Sequence, residues 1–282
     1  MDRSHQLNRR DWLALASSAW LPAQALADPT PEEPPLQQTV ELSAEWRRMA
    51  GQGGGLSKVE RALVTVVRPP AFDASADWPV LVVNATSDRG YSSSRALLQA
   101  YRAAAAEAGW VIVAADPEPA VSQDEDLLGL RYVLSSAALA AVRLMWKGAE
   151  RARVAFAGFS GGAKYAGWLA ALFHKQGAPV IGAYMAGVNA NAVGEAAQKF
   201  GLAHDEAFHR VPIFLQGGQK DRVATPAQHE GIEVDLKRNG FKQVRLALVT
   251  GPHTVDASLL ADALRWFAAP AAEVPAASGA AR

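Results

Sequence analysis

The amino-acid sequence predicts an α/β fold, a mostly parallel twisted sheet with helices on both faces. Short apolar runs of strand length alternate along the chain with Ala- and Leu-rich segments of helix length. Several of the strand runs, 80–83 and 154–157 among them, are continuously apolar, as expected of strands buried on both faces. The stretch 151–175, RARVAFAGFSGGAKYAGWLAALFHK, passes from such a run into a helical segment through Gly158-Phe159-Ser160-Gly161-Gly162.

In chain order, residues 28–38 contain Pro29, Pro31, Pro34 and Pro35 and read as an extended linker. Ser43 is placed to cap a short helix through 49, ended by Gly51 and the glycine run 53–55. The expectation is thus a linker and short helix over 28–57 and a folded domain over 58–269. The β-branched run 61–67 reads as a strand stopped by Pro69-Pro70. A strand at 80–83, an Ala-rich helix at 94–108 and a strand at 110–115 follow. Segment 126–147 reads as mostly helical, with Gly129 near its start. Beyond the strand–turn–helix stretch comes a strand at 180–185. The polar segment 187–210 has room for one or two short helices, too few for a large lid. A strand at 212–216, a helix at 226–239 closed by Gly240, a strand at 244–249 and a helix at 258–267 complete the domain. The Ala/Pro-rich segment 270–282 is expected to be a disordered tail. No internal repeat is present.

Composition narrows the function. Lys+Arg and Asp+Glu balance at 28 each, so neither a nucleic acid nor an anionic membrane surface is indicated as partner. Cysteine is absent, which removes disulfides, thiolate nucleophiles and Cys-based zinc sites. The sequence has no phosphate-binding loop and no dinucleotide fingerprint, and no cofactor is expected. His204 and His209 flank Asp205-Glu206, but their spacing of five is off one helix face, and they are expected to be solvated rather than metal ligands.

The N-terminus has the layout of a secretory signal peptide over 1–27. Arg3, Arg9 and Arg10 precede an uncharged apolar run, and Ala25-Leu26-Ala27 supplies small residues before Asp28. Arg9-Arg10-Asp11-Trp12-Leu13 also resembles a twin-arginine signal. A periplasmic or secreted location follows as the expectation, by either export route, and no later stretch is long and apolar enough to span a bilayer.

Gly158-Phe159-Ser160-Gly161-Gly162 fits G-x-S-x-G in strand–turn–helix context. A serine at such a tip projects its hydroxyl above the sheet edge and aims the free N–H groups of the following helix at whatever binds there. The hydroxyl needs a base, and the base needs a partner that fixes its tautomer. Ligands of parallel sheets bind at the carboxyl ends of strands, and two residues stand at such ends. Asp221 follows the strand at 212–216, and His253 follows the strand at 244–249. Asp256 and Asp116 are rival acids, His174 ends a helix, and His229 lies in a helix start without a motif.

The order and spacing of Ser160, Asp221 and His253 resemble the α/β-hydrolase fold over about 58–269. The resemblance implies a nucleophile after the fifth strand, an acid after the seventh and a histidine base after the eighth. Those roles would fall to Ser160, Asp221 and His253. It implies two backbone donors for an oxyanion, one being Gly161 and the other in the loop after 80–83. That loop usually opens with His-Gly; here Asn84-Ala85 stands in its place, so Thr86 is the expected donor, with Ala85 next. Tyr91 and Phe159 are the aromatic residues best placed to touch substrate. The expected activity is that of an exported serine esterase acting on small-molecule or polymeric esters. A peptidase or polyester depolymerase on the same residues is the alternative within enzymes. A silent hydrolase-fold binding protein is the alternative outside them.

Overall fold

The computed structural model describes residues 34–51, 55–85 and 93–269. They form an eight-stranded sheet, in chain order β1 Leu36–Glu41, β2 Arg61–Val67, β3 Val80–Asn84, β4 Val111–Glu118, β5 Val154–Phe159, β6 Val180–Ala186, β7 Ile213–Gly218 and β8 Val244–Val249. The spatial order is β1-β2-β4-β3-β5-β6-β7-β8. Strand β2 runs antiparallel to β1 and β4, and every pair from β4 to β8 is parallel. The helices are α1 Ala44–Ala50, α2 Ser94–Glu107, α3 Leu128–Arg143, α4 Gly161–Lys175, α5 Ala192–Lys199, α6 Pro226–Arg238 and α7 Leu260–Ala268.

Side chains of successive strand residues point to opposite faces, and the core divides accordingly. Val80 and Val82 face a cluster with Leu134, Ala166, Leu169 and Ile232, from α3, α4 and α6. Leu81 and Val83 face a second cluster with Leu97, Tyr101 and Leu264, from α2 and α7. The central strands are covered on both sides, which explains their unbroken apolar runs. The order also places a crossover reversal between β3 and β5: β3 leads outward to β4, while β5 leads the other way to β6. A crevice opens at the carboxyl ends of strands on either side of such a reversal. The ends of β3 and β5, Asn84 and Phe159, therefore flank it.

The sheet begins earlier than the expected boundary near 58. Leu36–Glu41 pairs with β2 along its whole length, Leu36 opposite Val66 and Glu41 opposite Arg61. The strand buries almost no side chain; its backbone ladder holds it, and hydrophobic pattern carries no trace of such pairing. Ser43 caps α1 as expected, its Oγ accepting from Trp46 N–H. Helix α3 starts at Leu128, because the Asp126 side chain turns inward to a buried ion pair instead of entering the helix. The segment after β6 forms α5 and a short 3-10 turn at Phe208–Arg210. His209 on that turn is buried, its ring 4.9 Å from that of Phe241, and not solvated as expected. His204 is exposed.

Candidate active site

The turn after β5 is built by close backbone approach. Ser160 has φ 54°, the single non-glycine residue with positive φ among the described residues, and it precedes the first residue of α4. A Cβ on Gly158 would come within 2.1 Å of the Gly162 carbonyl oxygen, and one on Gly162 within 2.1 Å of the Asn84 carbonyl oxygen. Neither position accepts any side chain, which is the physical content of the motif's glycines. Ser160 N–H donates to the Ala186 carbonyl at 2.8 Å, tying the strained residue to β6. The N–H groups of Gly161 and Gly162 open α4 and precede its first intrahelical bonds.

The structure brings Ser160, His253 and Asp221 together. His253 Nδ1 lies 2.7 Å from Asp221 Oδ2, and His253 Nε2 lies 3.0 Å from Ser160 Oγ. A carboxylate can only accept, so the Nδ1 proton points to Asp221 and Nε2 is left to accept from the serine hydroxyl. The second carboxylate oxygen of Asp221 accepts from Val223 and Ala224 N–H at 2.8 and 2.9 Å. Burial opposes ionisation of Asp221, but the bonds from Ala224, His253 and Val223 together outweigh it and hold its pKa below the ordinary 3.8. The rival carboxylates are engaged elsewhere. Asp116 accepts from Ser94 and Arg95 N–H at the start of α2, and Asp256, half-buried in the loop before α7, accepts from Ser258 N–H.

Phe159, one of the two aromatic residues expected to touch substrate, packs on the histidine. It is 7% exposed, and its ring sits 4.7 Å from the imidazole of His253. Gly187, at φ 61°, leaves room for that tilted ring contact: a Cβ there would come within 2.8 Å of Phe159 and 3.0 Å of the imidazole Cε1. Thr86 and Tyr91 lie outside the described residues. Ala85 N–H, the next choice as an oxyanion donor, donates to Ser94 Oγ at 3.2 Å.

Sequence reasoning missed the residues that hold the histidine loop. Gln216 Nε2 donates to the Asp256 carbonyl at 2.9 Å, Gln216 Oε1 accepts from the Tyr184 hydroxyl, and the Gln216 carbonyl accepts from Gly187 N–H. One side chain in β7 thus links β6 to the loop that carries His253. The available signal was a glutamine inside an otherwise apolar strand. Burial pushes the Tyr184 phenol well above its ordinary range, so it stays a donor. Among the described residues no group of three metal-ligating side chains occurs.

A parallel sheet with its crevice at β3/β5, a strained serine after β5 and a histidine and a carboxylate after β8 and β7 define the α/β-hydrolase fold, and the chain has it. A structure from a study of two fungal esterases of Rhizomucor miehei aligns at TM-score 0.55 and 16% identity, over 84% of this chain and 85% of that one. An esterase of Pyrobaculum calidifontis aligns at TM-score 0.55 and 15% identity, over 85% and 87%. A zinc-bound structure of a cold-adapted esterase from an Arctic intertidal metagenomic library aligns at 0.53 and 13% identity, over 83% and 94%. At these identities the likeness is one of fold. No protein-family model and no curated protein matches the chain.

Proposed function

We propose that the protein is an exported serine hydrolase that cleaves carboxylic esters through an acyl-enzyme on Ser160. The observation that carries this reading is the continuous relay Ser160 Oγ–His253–Asp221, at 3.0 and 2.7 Å, on a positive-φ turn. Ser160 attacks the ester carbonyl while His253 Nε2 takes its proton, and His253 returns that proton to the leaving alcohol. Asp221 keeps Nδ1 protonated and stabilises the imidazolium. The tetrahedral oxyanion is held by Gly161 N–H and, in this reading, by Thr86 N–H. Water, deprotonated by the same imidazole, then releases the acid and restores Ser160. The fold shared with esterases agrees with this chemistry. Export by residues 1–27, outside the described region, belongs to the same proposal; among the described residues no helix is long and apolar enough to cross a membrane.

The test is labelling of purified protein with a serine-directed fluorophosphonate, with initial rates on p-nitrophenyl esters of varied acyl length. Labelling that disappears in Ser160→Ala is expected. A wild type that neither labels nor hydrolyses any ester would leave the silent binding protein as the better reading.

A further inference from the structure

Behind the end of β3 runs a buried polar chain that the proposed chemistry does not use. Arg131 Nε and Nη2 donate to the two oxygens of Asp126 at 2.5 and 2.6 Å, with the side chains 3% and 2% exposed. The remaining arm of the guanidinium, Nη1, donates to Ser94 Oγ at 3.2 Å. Ser94, the first residue of α2, is itself buried, and its Oγ also accepts the Ala85 N–H at 3.2 Å. The Tyr165 hydroxyl, on α4 just beyond the elbow, donates to the Asp126 carbonyl, and the Arg131 guanidinium lies 5.6 Å from the Tyr165 ring centroid. Burial raises the Tyr165 phenol to about 12, so it remains a donor at working pH. Side chains from three helices thus join one buried chain, and that chain ends through Ser94 on the Ala85 amide, the peptide that leads out of β3.

That peptide presses on the nucleophile turn, because the Asn84 carbonyl and Ala85 Cα are the atoms a side chain on Gly162 would strike. Asn84 is held from the same side, its Oδ1 accepting from the Ser135 hydroxyl at 3.3 Å. Packed apolar residues could support α3 as well as a buried ion pair does. The pair adds direction: a guanidinium fixed by two bonds to one carboxylate holds its plane, and with it the Nη1–H groups, in a set direction.

We propose that Ser94, oriented by the Arg131–Asp126 pair, is a positioning residue for the oxyanion hole. It anchors the Ala85 amide and thereby fixes the Asn84–Ala85 peptide against Gly162, in the turn that carries Ser160 and the Gly161 donor. This rests on the ester-hydrolase reading above. The tethers on Asn84 and Ala85 take the place of the His-Gly pair that usually opens this loop. Backbone donors stabilise an oxyanion only when they are fixed beforehand in the right direction, so loosening the Ala85 anchor acts on the transition state more than on substrate binding.

The experiment compares wild type, Ser94→Ala and Ser94→Thr on short-chain p-nitrophenyl esters. It adds inhibition by a trifluoromethyl ketone, whose adduct carries a tetrahedral oxyanion, and by the corresponding secondary alcohol, which does not. Ser94→Ala is expected to lower kcat on the order of tenfold with KM within about twofold, and to weaken the ketone by the same factor as kcat/KM. Alcohol inhibition and the melting temperature should stay near wild type, and Ser94→Thr, which keeps the hydroxyl, should recover most of the rate. Arg131→Lys, which retains charge without the fork, covers the case in which threonine does not fit; it should show the same selective loss. Unchanged kcat/KM in Ser94→Ala, or an equal loss for ketone and alcohol, would overturn the proposal while leaving the esterase reading intact. An inactive, unlabelled wild type would overturn both.

Discussion

At the scale of the residue, the reading stands on three side chains that act as a unit. Ser160→Ala is expected to lower ester turnover by about 10⁴-fold or more. Its stability should change by less than about 1 kcal/mol, since one oxygen leaves a half-buried site. His253→Ala should cost a similar factor, and the double variant little more than either single one. Asp221→Asn should reduce turnover by orders of magnitude, whereas Asp256→Asn, whose carboxylate bonds Ser258 N–H and not His253, should keep most of it. The depressed pKa of Asp221 also has a sign in pH. A carboxyl whose folded pKa lies below its unfolded value stabilises the fold above the unfolded value, near 3.8, and loses that contribution as pH falls through the folded one. The stability advantage of wild type over Asp221→Asn should therefore be full at neutral pH and shrink below about pH 4, as measured by denaturant melts. The reacting residues were legible in the sequence because each is a polar residue in the loop that leaves a largely apolar strand, Ser160 at once, Asp221 and His253 within a few residues. Ser94 and Arg131 were not, because their work is done across the fold, at separations that local pattern does not connect, and Gln216 showed only as a polar residue in an apolar strand, without its partners.

At the scale of the element, the elbow offers a sharp contrast between two glycines. Gly162→Ala would place a methyl 2.1 Å from a backbone oxygen that cannot move without shifting β3. A loss above about 3 kcal/mol, or no folded protein, is expected. Gly231, exposed on α6, has nothing within 4 Å of its would-be Cβ. Gly231→Ala should stabilise by about 0.5–1 kcal/mol through helix propensity and the unfolded chain. On the same helix, Thr225 accepts from Gln228 N–H and Gln228 reaches back to Thr225 N–H. Thr225→Ala should cost about 1 kcal/mol in a thermal or denaturant melt. Strands buried on both faces and helices with caps were readable in the sequence, since burial and capping both leave a mark on composition. Strand β1 was not: its side chains are nearly all exposed and its stability comes from the ladder to β2.

At the scale of the whole molecule, the export proposal makes its own prediction. Arg9→Lys together with Arg10→Lys should retain precursor in the cytoplasm if the twin-arginine route is used, as read by fractionation and N-terminal sequencing. Mature protein beginning at Asp28 is expected outside it. Ser160 also bears on the molecule as an object of selection. A serine at φ 54° is strained, while glycine meets no such penalty, so Ser160→Gly should raise stability by about 1 kcal/mol as it abolishes turnover. A population of variants screened for heat resistance alone should drift toward glycine at this position. One screened for activity as well should keep serine and gather its stabilising changes elsewhere. The residue at 160 would then record which of the two pressures a lineage has been under.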